Sequence, residues 1–273
     1  MRHGPGTPAA TTGQLIRAVG DVLSLPHRTV VTALYLYWRL QLATEEEGAG
    51  EGAAWTQERI LPTVVFLAAK VEETCLVTND LLNVASLLCA SPSAYQRPPP
   101  DPLATPPPAL VGGTYYAAKA LLVLDEQRAL RTLRFDLRVH HPHPHLLALA
   151  GARRAPRPLL AAALCLLGDA LAGCACAARH RPGPLASAAL HVASVLIAPR
   201  RRDGGPPCEP GPLEHGWWRA LGLCDAQVEA AVDEVAGVAE AGLAGMGGEC
   251  MDGGPGQLNI AVPDGPPAIE PHS

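Results

Sequence analysis

Lysine is nearly missing from this chain. Of its 21 basic side chains only Lys70 and Lys119 are lysines, so any lysine placed among apolar residues is an unusual choice. Aromatic residues make up 4% and charged residues 17%, against 48% hydrophobic, so a core has to be assembled from Leu, Val and Ala. The formal charge of −5 argues against a nucleic-acid binder that works by neutralising phosphates. Apolar runs are short: the longest, 159–167 and 185–198, fall below the ~20 residues that span a bilayer. The start MRHGPGTPAATTG has no uninterrupted apolar stretch of the kind a secretory signal needs, and a soluble intracellular protein is expected. Eight cysteines include no CxxC pair, which suits reduced, mostly buried thiols better than disulfides or zinc. Cys174 and Cys176 form a lone CxC, and no metal is assigned to it. Neither GxSxG, GK[ST] nor HExxH occurs, so no catalytic set emerges and no cofactor is expected.

Helical periodicity dominates what remains. It predicts helices over 14–25, ended by Pro26, and over 29–42, followed by a solvated acidic and Gly-rich loop at 45–52. A third helix carries ILPTVVFLAAKVEET, where Pro62 either lies in the first turn or kinks the helix. Thr78, Asn79 and Asp80 offer an N-cap for a helix over 81–89. Residues 91–113 contain two triple-proline runs and are expected to be an extended insertion, with a fifth helix over 115–135 and a linker at 136–139 beyond. The second half predicts helices over 143–150, 158–172, 185–198, 216–221 and 225–243. From Ala244 onward Gly and Pro abound and disorder is expected, as it is for residues 1–13.

Lys70 lies among Val65, Phe66, Leu67 and Val71, where an ammonium must reach water or meet a carboxylate. Glu126, set among Leu121, Leu122, Leu124, Leu130 and Leu133, is the candidate partner. Arg128, Arg131 and Arg134 recur every third residue, a spacing that suits a phosphate or an acidic partner segment as well as a solvated helix face. Glu72 and Glu73 stand where the helix macrodipole disfavours anions, which calls for a partner such as one of these arginines. His140, His141, His143 and His145 are interrupted by Pro142 and Pro144 and are not taken as a metal site.

With LAAKVEE at 67–73, Glu126, LRTLRFDL at 130–137 and HHPH at 140–143, the chain resembles the cyclins. The TND and NV after the lysine motif, the HPH and Trp217-Trp218 are most similar to the cyclin-Q (cyclin-M) group of transcription-associated cyclins. The resemblance implies an all-α fold of tandem five-helix bundles: a first cyclin box at 14–139 carrying the insertion, and a second bundle at 140–243. It further implies a non-catalytic, activating subunit of a cyclin-dependent protein kinase, nuclear and also cytoplasmic, with no membrane or direct nucleic-acid contact. Carried over by motif, Lys70 and Glu126 bind backbone groups of the kinase's mobile helix, while Leu67, Val71, Leu130 and Leu137 supply apolar contact. Val71 replaces an aromatic residue common in cell-cycle cyclins, which leaves the choice of kinase open. The alternative is a general transcription factor of the TFIIB type, which shares the tandem bundles but calls for a basic second bundle and commonly a zinc ribbon; the chain shows neither.

Overall fold

A computed structural model of the chain describes residues 11–46, 55–90, 109–197 and 213–246. The tail beyond 246, the proline-rich runs, most of the acidic loop and residues 1–10 lie outside the described residues, and so does most of what was expected of them; residues 12–13, 45–46, 112–113 and 244–246, expected outside the helices, are helical. The described residues form ten α-helices and no strand. In order they are α1 (Thr12–Val22), α2 (His27–Glu46), α3 (Gln57–Val71), α4 (Thr78–Ala90), α5 (Gly112–Thr132), α6 (His143–Ala152), α7 (Arg157–Gly173), α8 (Cys176–Arg179), α9 (Pro182–Ile197) and α10 (Asp225–Met246). The segment predicted as a helix at 216–221 is instead a 3-10 turn, Trp217–Leu221, and the four-residue α8 was not predicted.

Local chemistry sets the ends. Thr11 caps α1 through a reciprocal box: Gln14 N–H donates to Thr11 Oγ1 (3.3 Å) and Thr11 N–H to Gln14 Oε1 (2.9 Å). The helix stops at Val22, short of Pro26, because Ser24 takes a left-handed conformation and Leu25 N–H returns to Gly20 O at 2.8 Å. Pro62 lies well inside α3 rather than in its first turn. A proline there removes one backbone hydrogen bond and costs ~3 kcal/mol in an isolated helix. Burial of Pro62 with Leu61, Val64 and Val65, and a bond from Thr63 Oγ1 to Arg59 O at 2.7 Å, hold the helix through it. Thr78, Asn79 and Asp80 form the first turn of α4 instead of preceding it, with Asp80 favourably placed at the positive end of the macrodipole. The 3-10 turn is bracketed by Gly216 and Gly222 at φ 80° and 72°, a left-handed geometry that glycine alone adopts freely.

α3 sits centrally among α1, α2, α4 and α5, and α9 among α6, α7 and α10. The α9 core face reads Leu185, Ala186, Ala188, Ala189, Leu190 and Ala193, all 0% exposed, so small side chains let neighbouring helices approach closely. Trp218 is fully buried; its Nε1–H donates to Asp225 Oδ1 at 2.9 Å, and His191 and His215 meet its ring edge-on. The two halves are joined by direct contacts. A Cβ on Gly13 would stand 2.0 Å from Ala172 O, Trp38 Nε1–H donates to Leu171 O at 2.9 Å, and Arg17 pairs with Asp169 at 2.7 Å. The thiols are less buried than composition suggested: Cys75, Cys165 and Cys224 are exposed, and Cys176 is the buried one among the described cysteines.

Candidate functional site

α3 and α5 pack side by side and are tied by two ion pairs. Lys70, in the last turn of α3, places its ammonium 2.6 Å from Glu126 Oε1 and 4.3 Å from the centre of the Phe66 ring. The pair joins the two charges isolated in the sequence, but it is not desolvated: the Lys70 side chain is 51% exposed and Glu126 13%. Lys70 therefore both meets its carboxylate and reaches water. The second pair was not anticipated. Arg59 grips Asp125 with Nε on Oδ2 at 2.9 Å and Nη2 on Oδ1, and the Asp125 side chain is only 3% exposed. The signal available in the sequence was an acidic residue beside Glu126 on the buried side of the same helix.

α5 turns only Leu122, Asp125 and Ala129 fully inward. Tyr116, Leu121, Val123 and Leu124 are all exposed, as is Phe135 just past its end. Val123 and Leu130 stand one turn before and after Glu126, so the pair is flanked along the helix by apolar side chains. An exposed Val123 and a half-buried Leu130 beside a half-covered ion pair, on a helix that leaves several other apolar side chains exposed, make a surface suited to a partner. Leu67 does not contribute to it: at 2% exposure it belongs to the core. Val71, Leu130 and Leu137 are half-buried and border the surface.

Beyond α5 the chain turns through two successive left-handed residues, Arg134 and Phe135, closed by Phe135 N–H on Leu130 O at 2.9 Å. This turn and the end of α3 frame a cleft of about 560 Å³ lined by Val71, Glu72, Arg134, Leu137 and Arg138 among others. The three arginines do not form one stripe. Arg128 lies over the Trp55 ring at 4.3 Å, Arg131 is exposed on α5, and Arg134 is past the helix end at the cleft. Glu72 finds its partner elsewhere, in Arg28 of α2. It also accepts from Thr32 Oγ1 at 2.6 Å, with His141 Nε2 at 3.6 Å. Since the Thr32 hydroxyl is donating to Glu72, His141 Nε2–H is the donor in its 3.3 Å contact with Thr32. Burial, opposed by Glu72, lowers the His141 pKa and favours the neutral ring. Hydrogen bonds from Arg138 hold the Asp136 carboxyl below the usual carboxylate range. His143 is drawn into a pair with His27 (Nε2 to Nε2, 3.1 Å), so the HHPH segment packs against α2 and is used structurally.

No family model matches the chain. It is 26% identical over 221 residues to cyclin-T1-2 of Oryza sativa subsp. japonica, covering 81% of this chain and 31% of that protein. It is 25% identical over 182 residues to cyclin-T1 of Homo sapiens, covering 66% of this chain and 22% of the human protein. The chain thus spans about a third or less of the length of these two relatives. Among solved structures it matches a chain of the yeast RNA Pol II CTD kinase CTDK-1 complex with a TM-score of 0.60 and 16% identity, covering 82% of this chain and 62% of that one. The structural match shows a shared all-helical fold, and the sequence matches support a place in the cyclin family.

Proposed function

We propose that this relative of the cyclins is a non-catalytic, activating subunit of a Ser/Thr cyclin-dependent protein kinase, with residues 14–139 as its first cyclin box and 140–243 as its second. The observation that carries the reading is the Lys70–Glu126 pair, held between α3 and α5 and flanked along the helix by an exposed Val123 and a half-buried Leu130. In a protein kinase, activity requires a glutamate of the mobile αC helix to pair with the lysine that holds the ATP phosphates. A rigid apolar surface packed on that helix fixes it inward. Lys70 then donates to backbone carbonyls of the helix, Glu126 orients the ammonium and accepts from backbone N–H groups, and Val71, Leu130, Leu137 and the exposed α5 residues supply contact area. The cleft beside Val71, with Arg134 at its edge, receives an adjoining acidic or phosphorylated kinase segment.

The relatives named above are cyclin-T proteins and a chain of a polymerase CTD kinase complex, which supports a transcription-associated kinase and a nuclear location. The motifs TND, HPH and Trp217-Trp218 favour a cyclin-Q-like subtype. Purification of the tagged chain from cells, followed by mass spectrometry and a kinase assay, tests the reading. A stoichiometric kinase whose activity depends on the chain is expected. Recovery without any kinase, from cells in which the chain is folded, would overturn it.

A further inference from the structure

A second cluster lies outside the α3–α5 face, where α7, α8 and α10 meet. Cys174 follows directly on α7, Cys176 opens α8, and Glu234 comes from the middle of α10. Their two sulfurs and a carboxylate oxygen all fall within 4.8 Å of one another. Cys176 is 0% exposed and part of the core. Two buried polar atoms at this spot lack hydrogen-bond partners, Glu234 Oε2 and His180 Nε2. His180 Nε2 stands 3.3 Å from the other oxygen of Glu234, which Arg179 approaches at 3.4 Å. An unsatisfied buried carboxylate oxygen costs a folded protein free energy unless something occupies it.

We infer that Cys174, Cys176 and Glu234 form a binding site for a zinc-class divalent cation, with a water as the fourth ligand. The donor set decides the cation: two thiolates select a soft metal over magnesium or calcium, and three or four N, S and O donors in a closed shell suit tetrahedral zinc. The spacing fits as well. Bonds of ~2.3 Å to sulfur and ~2.0 Å to oxygen hold tetrahedral ligands about 3.5 to 3.8 Å apart, so side-chain shifts of roughly 1 Å or less close the shell. Charge balances too, since two thiolates and the carboxylate offset the cation together with Arg179, which is half-exposed and free to stay at the rim. The C-terminal end of α7 adds its partial negative charge beside Cys174. Bound there, the cation cross-links three helices of the second half.

The test uses the 273-residue chain, purified under a phosphine reductant. Zinc content by elemental analysis is expected at about one per chain, and cobalt(II) loading of the metal-free protein should produce the d–d absorption of a tetrahedral thiolate site. Cys176→Ser should abolish both, Glu234→Gln should weaken zinc affinity at least about tenfold, and Cys75→Ser/Cys224→Ser should change neither. Should Cys176→Ser fail to fold, the cobalt spectrum of the unmutated chain and the Glu234→Gln titration decide alone. A folded, reduced chain that takes up no zinc and gives no cobalt band overturns the inference. So does a metal lost on removing the exposed cysteines, or an intact Cys174–Cys176 disulfide in its place.

Discussion

Glu126→Ala separates what the ion pair does for folding from what it does for a partner. In the free protein Lys70 is 51% exposed, so the ammonium left behind still has water and the Phe66 ring. A pair of that exposure contributes about 1 kcal/mol or less to stability, which corresponds to a fall of roughly 2–4 °C in melting temperature for a chain of this size. Docking changes the balance, because a kinase seated on α3 and α5 covers the ammonium. A charge stranded in a covered interface costs ~3–5 kcal/mol, and at 1.4 kcal/mol per decade this is about two to three and a half powers of ten in affinity. Thermal denaturation followed by circular dichroism, and titration against the co-purifying kinase, measure the two effects separately. Unchanged kinase affinity in a folded Glu126→Ala protein refutes the docking surface. A loss of more than about 8 °C refutes the claim that the pair matters little to the fold.

The neighbouring pair should behave in the opposite sense. Arg59→Ala strands a buried Asp125 carboxylate and is expected to cost ~3–5 kcal/mol, whereas Asp125→Ala leaves a guanidinium already 43% exposed and should cost about 1–2 kcal/mol; equal shifts of the urea midpoint would contradict this. His141 and His143 make stability pH-dependent. Burial, then the charges of His27 and His141, push His143 down to about 4 from 6.5, so its neutral form is the one the fold prefers. Its contribution is whole above pH 6.5 and is lost as pH falls from 6.5 towards 4. His141, facing Glu72 and Arg28, shifts the same way. The melting temperature should fall across that window in the wild type and less steeply in His143→Gln; superimposable profiles would count against it.

The helices themselves were legible because apolar spacing of 3.6 residues depends only on order along the chain. Their ends were less so, since Ser24, Arg134 and Phe135 adopt left-handed backbone without being glycine. Pro62 could not be resolved from sequence, because only surrounding packing decides whether a helix survives a proline. Trp217-Trp218 lay in a predicted helix, yet flanking glycines and the Trp218–Asp225 bond make it a tight 3-10 turn. At the site, the two isolated charges of Lys70 and Glu126 were visible because each interrupts an apolar run. Their half-exposure was not, since it depends on how much of α5 the other helices cover. The same limit applied to Leu67, whose motif position implied surface and whose helix face points to the core. Arg59 with Asp125, Arg28 with Glu72, and Cys174 and Cys176 with Glu234 are separated by 66, 44 and about 60 positions. Sequence by itself determined the all-helical class and that Lys70, Glu126 and Glu72 needed partners. Only the tertiary structure decided who the partners are, because long-range pairing is set by helix packing and leaves no local period to read.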